Sequence, residues 1–238
     1  MICFLTSRTD EPETGRLNPA NHFIDELRRC YPRSCRALFL CSDPDSWETT
    51  GFYAAMLKKS FEDAGFVFQS IRTLDGRNEA QAAELVTGSN LFILAGGHVP
   101  TQNRFFQRIR LRELLADAAG IVIGISAGSM NSAETVYAQP ELDGETVDPD
   151  YQRFLPGLGL TKTMLLPHYQ EIGDAVLDGL RVFEDIAYPD SRGKTFYAIP
   201  DGSWLLVEAG REELHGEAYR IRDGGITRIS DNGETVLL

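Results

Sequence analysis

The sequence predicts a doubly wound α/β fold: a mostly parallel sheet with helices on both faces and antiparallel hairpins at the C-terminus. Three observations predict it. Short apolar runs alternate with longer amphipathic segments from Ile2 to Ile125, in the order β-α-β-α-β-α-β-α-β. The run Ile121-Val122-Ile123-Gly124-Ile125 is apolar along its length, which suits a parallel strand covered on both faces. The last third changes to short strands around Asp201-Gly202, Asp223-Gly224-Gly225 and Asn232-Gly233; the last two are hairpin-type turn signals.

Ile2-Cys3-Phe4-Leu5 is the first strand. Pro19 to Arg29 is a helix with Phe23, Ile24 and Leu27 on one face. Arg36 to Cys41 is the second strand, and Ser42-Asp43-Pro44-Asp45 ends it in a turn that can cap a helix. The following helix, Gly51 to Ala64, holds Phe52, Met56, Leu57 and Phe61 at helical spacing and stops at Gly65. Phe66 to Ile71 is the third strand, and Glu79 to Thr87 a helix stopped by Gly88. Asn90 to Ala95 is the fourth strand and runs into Gly96-Gly97. Phe105 to Ala119 is a helix stopped by Gly120, before the fifth strand at 121–125. The C-terminal strands are expected to extend the same sheet or form a small flap. No Pro/Ser/Gly-rich linker or repeat interrupts the chain, so residues 1–238 are expected to form a single domain.

Composition narrows the function. The chain has 42% hydrophobic residues, enough for a buried core, which excludes disorder as the main description. Lys and Arg total 23 against 35 Asp and Glu, a net charge of -12. The positive field of a nucleic-acid binder is absent, and an anionic membrane surface is disfavoured for the same reason. The four cysteines, Cys3, Cys30, Cys35 and Cys41, form no C-x-x-C pair, so no metal site is expected. Cys3 and Cys41 sit in apolar runs as small core residues. The apolar run at the N-terminus is too short for a secretory signal, and no run is long enough to span a membrane. A cytoplasmic location is expected.

Gly124-Ile125-Ser126-Ala127-Gly128 follows the fifth strand directly and fits G-x-S-x-G. A nucleophile on a tight strand-to-helix turn has strained backbone angles, and glycines two before and two after relieve crowding. The next helix, starting near Ser129, aims its N-terminal amides at the hydroxyl. Four histidines could supply a base. His22, on the polar part of an amphipathic helix, and His215, in the charged turn Arg211 to Gly216, read as surface residues. His98 follows the Gly-Gly turn. His168 follows the apolar run Met164-Leu165-Leu166-Pro167 and is the preferred base, because ligands of open α/β sheets bind beyond the carboxyl ends of strands. Asp201, after the strand Phe196 to Ile199, is the preferred acid; Glu134 and Glu171 compete. The amides of Gly97 and Ala127 are assigned to an oxyanion hole, with Gly96 and His98 beside the substrate.

The order Gly-Gly loop, G-x-S-A-G, L-P-H and D-G-S turn resembles the peptidase E group of serine peptidases, which includes cyanophycinase. The resemblance runs from about Leu91 to Val207. It implies the flavodoxin-like, class I glutamine amidotransferase-like fold. It also implies Ser126 as nucleophile, His168 as base and Asp201 as acid, where the dipeptidase branch usually has Glu. Small peptides are the implied substrates, dipeptides with N-terminal Asp among them, with no cofactor; the fold suggests a homodimer. The glycine loop departs from the dipeptidases, reading Gly-Gly-His98-Val99-Pro100 in place of Gly-Gly-Gly-Asn-Thr. Class I amidotransferases carry Cys at the elbow, so Ser126 argues against glutaminase chemistry. Arg104, Arg108 and Arg110 are the cations nearest the glycine loop in sequence.

Two other readings remain. An α/β-hydrolase-type esterase would use the same elbow with His215 as base and Asp190 or Asp201 before it. A catalytically inactive binding relative would keep the elbow as a relic.

Overall fold

In the computed structural model, which describes residues 1–238, the alternating apolar runs become five parallel strands. These are β1 (Ile2–Thr6), β2 (Cys35–Leu40), β3 (Phe68–Leu74), β4 (Leu91–Leu94) and β5 (Ile121–Ile125), in the spatial order β1-β5-β4-β2-β3. The helices between them are α1 (Phe23–Cys30), α2 (Trp47–Asp63), α3 (Ala82–Thr87), α4 (Val99–Arg108) and α5 (Leu111–Ala116), and α6 (Ala127–Asn131) follows β5.

The period of two along each strand builds both faces. Phe4, Phe39, Ile93 and Ile123 point to one side and pack with Phe23 and Leu27 of α1 and Phe61 of α2. Leu5, Leu38, Leu40, Phe92, Leu94 and Val122 point to the other, against side chains of α3, α4 and α5. Two helix readings need correction. The segment 105–119 is not one helix: Arg110, at φ 53°, breaks it, and α4 begins at Val99 with Pro100 in its first turn. On α2, Phe61 is buried but Phe52 is 63% and Met56 42% exposed, so the apolar stripe is not wholly a core face.

The last third forms β6 (Thr135–Tyr137), β7 (Phe154–Pro156), β8 (Met164–Leu166), α7 (Tyr169–Ile172), β9 (Val176–Leu177), β10 (Leu180–Arg181), α8 (Tyr188–Asp190) and β11 (Thr195–Ala198). It continues with β12 (Trp204–Glu208), β13 (Arg211–His215), β14 (Ala218–Arg222), β15 (Gly225–Ser230) and β16 (Thr235–Leu237). Strands β12, β13 and β16 extend the main sheet antiparallel beyond β1, giving eight strands. The expectation of one sheet fails for the rest. Strands β15-β14-β11-β8 form a second sheet of four, with β8 and β11 parallel. Leu166, Phe196 and Ile221 of this sheet pack with Ala127 and Met130 of α6, so the second sheet covers the elbow helix.

The turns divide accordingly. Asp223 and Gly224 both take positive φ and join β14 to β15 as a tight hairpin. Asn232-Gly233 is not a hairpin turn: the chain leaves the second sheet there, and β16 pairs with β13 of the main sheet. No helix is long and apolar enough to cross a membrane.

Candidate active site

Ser126 sits between β5 and α6 with φ 50° and ψ -111°, a conformation that costs a non-glycine residue about 1–3 kcal/mol. Its neighbours hold it there. The Ser126 N–H donates to Thr6 O at 3.1 Å, and its carbonyl accepts from the N–H groups of Ser129 and Met130 at 2.8 and 3.0 Å. Both flanking glycines are needed for close approach. A Cβ on Gly124 would lie 2.8 Å from Ser129 Cα, and one on Gly128 only 2.3 Å from Leu94 O. The helix begins immediately after Ser126, two residues earlier than the sequence suggests, so the Ala127 N–H belongs to its first turn.

The glycine loop lies against this elbow. A Cβ on Gly96 would stand 3.4 Å from Ser126 Cβ. Gly97 has φ 146°, and a Cβ there would meet Ser42 Cβ at 2.5 Å. Neither the Gly97 nor the Ala127 N–H donates to a backbone carbonyl. Buried amides fix the loop relative to α6. Gln102 Nε2 donates to Ala95 O at 2.7 Å, and Asn131 Nδ2 donates to Gln102 Oε1 at 3.0 Å. Asn103 Nδ2 donates to Asn131 Oδ1 at 2.9 Å.

The second sheet brings in the other two residues. His168 follows β8 in the left-handed region, at φ 57°. Its Nε2 is 3.0 Å from Ser126 Oγ and its Nδ1 is 2.8 Å from Asp201 Oδ1. Asp201 stands in the turn that carries the chain from β11 back to β12 in the main sheet, and its N–H donates to Gln170 Oε1 at 3.0 Å. Burial pushes the Asp201 carboxyl up. Hydrogen bonds from His168 and Ser7, then the charges of His168 and Arg8, outweigh burial and hold it below the usual carboxylate range. With Asp201 ionised, Nδ1 carries the proton and donates to it, which leaves Nε2 to accept from the Ser126 hydroxyl.

Ser7, after β1, is the member the sequence did not signal. Its side chain is fully buried; its hydroxyl donates to Asp201 Oδ1 at 2.6 Å and accepts from the His168 N–H at 2.8 Å. One oxygen therefore links the main sheet to both residues delivered by the second.

Several sequence assignments lie elsewhere. His98 stands at the N-cap position of α4, with Nδ1 2.8 Å from Thr101 Oγ1 and Nε2 2.8 Å from Glu145 Oε1, and does not line the cavity beside Ser126, whereas Gly96 does. His215 is not a surface turn residue: it lies in β13, its ring stacked on Trp204 at 4.0 Å, and burial lowers its pKa. Asp190 accepts from Tyr137 and Arg153, so the triad of an α/β-hydrolase is not assembled. Glu134 is exposed beyond the end of α6, 3.9 Å from Arg112. Glu171 is exposed; its carboxylate falls within 4.8 Å of donor atoms of His168 and Asp201, but Asp201 takes the Nδ1 hydrogen bond. Arg108 pairs with Glu79 and Arg110 with Glu113, and neither they nor Arg104 line the cavity.

That cavity has a volume of about 510 Å³. Ser126, His168 and Gly97 border it on one side, the segment Ser7 to Asp10 forms one wall, and α2 forms the other through Tyr53, Met56 and Leu57.

Residues 3–214 match the sequence model of Peptidase family S51. The chain belongs to this family. No curated protein matches it by sequence. Its fold is similar to that of a peptidase from an acI-B1 actinobacterium, with a TM-score of 0.63, 16% identity, and coverage of 100% of this chain and 96% of that one. It is also similar to a putative peptidase E protein from Listeria monocytogenes EGD-e, with a TM-score of 0.56, 16% identity, and coverage of 96% and 98%. At these identities the likeness speaks for the fold alone. The S51 match thus joins a peptidase family to a site in which a serine, an imidazole and a carboxylate stand in hydrogen-bonded series.

Proposed function

We propose that this S51 chain is a serine peptidase that hydrolyses a peptide or isopeptide bond of small peptides through an acyl-enzyme on Ser126. The observation that carries the reading is the series Ser126 Oγ, His168 and Asp201, linked at 3.0 and 2.8 Å, with the serine on a strained elbow. In this mechanism Ser126 Oγ attacks the scissile carbonyl carbon while His168 Nε2 accepts its proton. The carbonyl oxygen becomes an oxyanion held by the Gly97 and Ala127 N–H groups. The C–N bond then breaks, and His168 returns the proton to the leaving nitrogen. Water, deprotonated by His168, attacks the acyl-serine and restores the hydroxyl. Asp201 keeps the imidazole in the productive tautomer and stabilises its charged form.

The four cysteines are free, and none lines the cavity, which supports an oxygen ester over a thioester. Residues 1–238 act as one domain in this reading, because Ser126 comes from one sheet and His168 from the other.

The test is a dipeptide and isoaspartyl-dipeptide library assayed with wild type and Ser126→Ala. Cleavage by wild type that vanishes in the variant supports the reading. Cleavage that survives in Ser126→Ala refutes the nucleophile. No cleavage of any peptide refutes the peptidase and favours a binding relative.

A further inference from the structure

We infer that Arg8 anchors the α-carboxylate of the leaving amino acid, so that the substrates are dipeptides or peptides cut at their last bond. The inference rests on the peptidase reading of Ser126 and deepens it to a substrate class.

Arg8 is the one Lys or Arg side chain lining the cavity that holds Ser126. Its guanidinium donates no hydrogen bond within the protein. Its Nε is buried without a hydrogen-bond partner and forms an ion pair with Asp10 Oδ1 at 3.5 Å. The side chain is 35% exposed. Elsewhere in the chain, an arginine beside a carboxylate uses its fork: Arg77 Nε and Nη2 donate to Asp75 at 3.0 and 2.8 Å. The Arg8 Nη groups, which donate to no atom of the protein, are left to meet a planar anion in the catalytic cavity, above all a carboxylate.

The position of Arg8 selects which carboxylate. It follows Ser7, whose hydroxyl contacts both the His168 N–H and Asp201 Oδ1. The charge of Arg8 also acts on the Asp201 carboxylate, which places Arg8 on the His168–Asp201 side of the nucleophile. His168 hands its proton to the leaving nitrogen, so the leaving residue lies on that side too. In a free amino acid the carboxylate carbon is two bonds from this nitrogen, within reach of a cation beside the imidazole. The opposite wall carries no cation. Tyr53, Met56 and Leu57 of α2, with Ser42 and Thr49, form an uncharged surface suited to the acyl residue. The chain carries a net charge of -12, so an anionic substrate needs such a local cation to offset the overall repulsion.

The test compares kcat/KM for matched pairs, Leu-Leu against Leu-Leu-amide and Asp-Leu against Asp-Leu-amide, in wild type, Arg8→Gln and Arg8→Lys. Loss of a charge-assisted hydrogen-bond pair is expected to make wild type prefer the free acid about 10- to 100-fold, mainly through KM. Arg8→Gln is expected to collapse that ratio to near unity, and Arg8→Lys to restore part of it. Fluorophosphonate labelling of Ser126, which needs no carboxylate, verifies that each variant is folded. Equal rates on free and amidated peptides in wild type overturn the inference, as does a preference that survives in Arg8→Gln. A preference for Asp over Asn at the first residue that vanishes in Arg8→Gln, with amidation neutral, overturns it in favour of a side-chain carboxylate. Those outcomes leave the peptidase reading standing. Absence of hydrolysis together with absence of Ser126 labelling removes both.

Discussion

Replacing Ser7 by alanine removes a single hydroxyl that holds His168 and Asp201 at once. The donation to Asp201 Oδ1 at 2.6 Å is to an ionised group, and such bonds contribute about 1.5–3 kcal/mol. The same oxygen accepts the His168 N–H at 2.8 Å, and a buried amide left without a partner costs about 1–3 kcal/mol. The two effects share one site and are not additive, so the combined loss is about 2–4 kcal/mol. For a chain of 238 residues, at about 2–4 °C per kcal/mol, the melting temperature falls by roughly 5–15 °C. The kinetic effect follows from position. His168 sits at φ 57°, and its ring meets Ser126 at 3.0 Å only while its backbone is held. A displacement of about 1 Å at such a site costs on the order of 100-fold, so kcat is expected to fall about 10- to 100-fold, more than KM changes. Calorimetry and steady-state kinetics on Ser7→Ala read both effects. A melting temperature within about 1 °C of wild type, with unchanged kcat, would refute the bridging role.

Five further substitutions probe the same architecture. Gly128→Ala places a Cβ 2.3 Å from the Leu94 carbonyl of β4 and is expected to lose about 3 kcal/mol or more. By contrast, Gly51→Ala, at an exposed position of α2 with nothing within 4 Å, should gain about 0.5–1 kcal/mol in denaturant titration. Asp201→Asn tests the depressed carboxyl. The stability Asp201 contributes is complete above its unfolded value of about 3.9 and is lost as pH falls below that through its lower folded value. The stability gap between wild type and Asp201→Asn should therefore narrow as pH drops from about 5 to about 2; a gap that stays constant would contradict the assignment. His168→Ala should abolish hydrolysis, whereas His215→Ala should leave turnover intact and lower stability by removing the ring stacked on Trp204. The reverse pattern would restore the α/β-hydrolase alternative.

Much of this site could be read from strand ends. Ser126, His168 and Asp201 each follow an apolar run, and ligands of open α/β sheets bind beyond the carboxyl ends of such strands. The glycines of the elbow and the loop were legible because close backbone approach leaves room for no other residue. Which sheet a strand joins was not legible. Met164–Leu166 and Thr195–Ala198 look like any other apolar run, and only the packing of Leu166 and Phe196 on α6 sets them apart. Ser7 carried no local signal, since its partners, His168 and Asp201, lie more than 150 positions away. The early start of α4 did have a signal, Pro100 in its first turn, whereas the left-handed Arg110 that ends it had none. On α2, Met56 shares the spacing of Phe61 but lines the cavity, because periodicity cannot distinguish a core face from a pocket wall.

The role of Ser126 is tested most directly by fluorophosphonate labelling followed by digestion and mapping of the modified peptide. Wild-type protein should carry one adduct, on Ser126, while Ser126→Ala carries none and His168→Ala reacts far more slowly. A folded wild-type protein that hydrolyses peptides yet takes no label at Ser126, or takes it on another residue, would contradict the assignment.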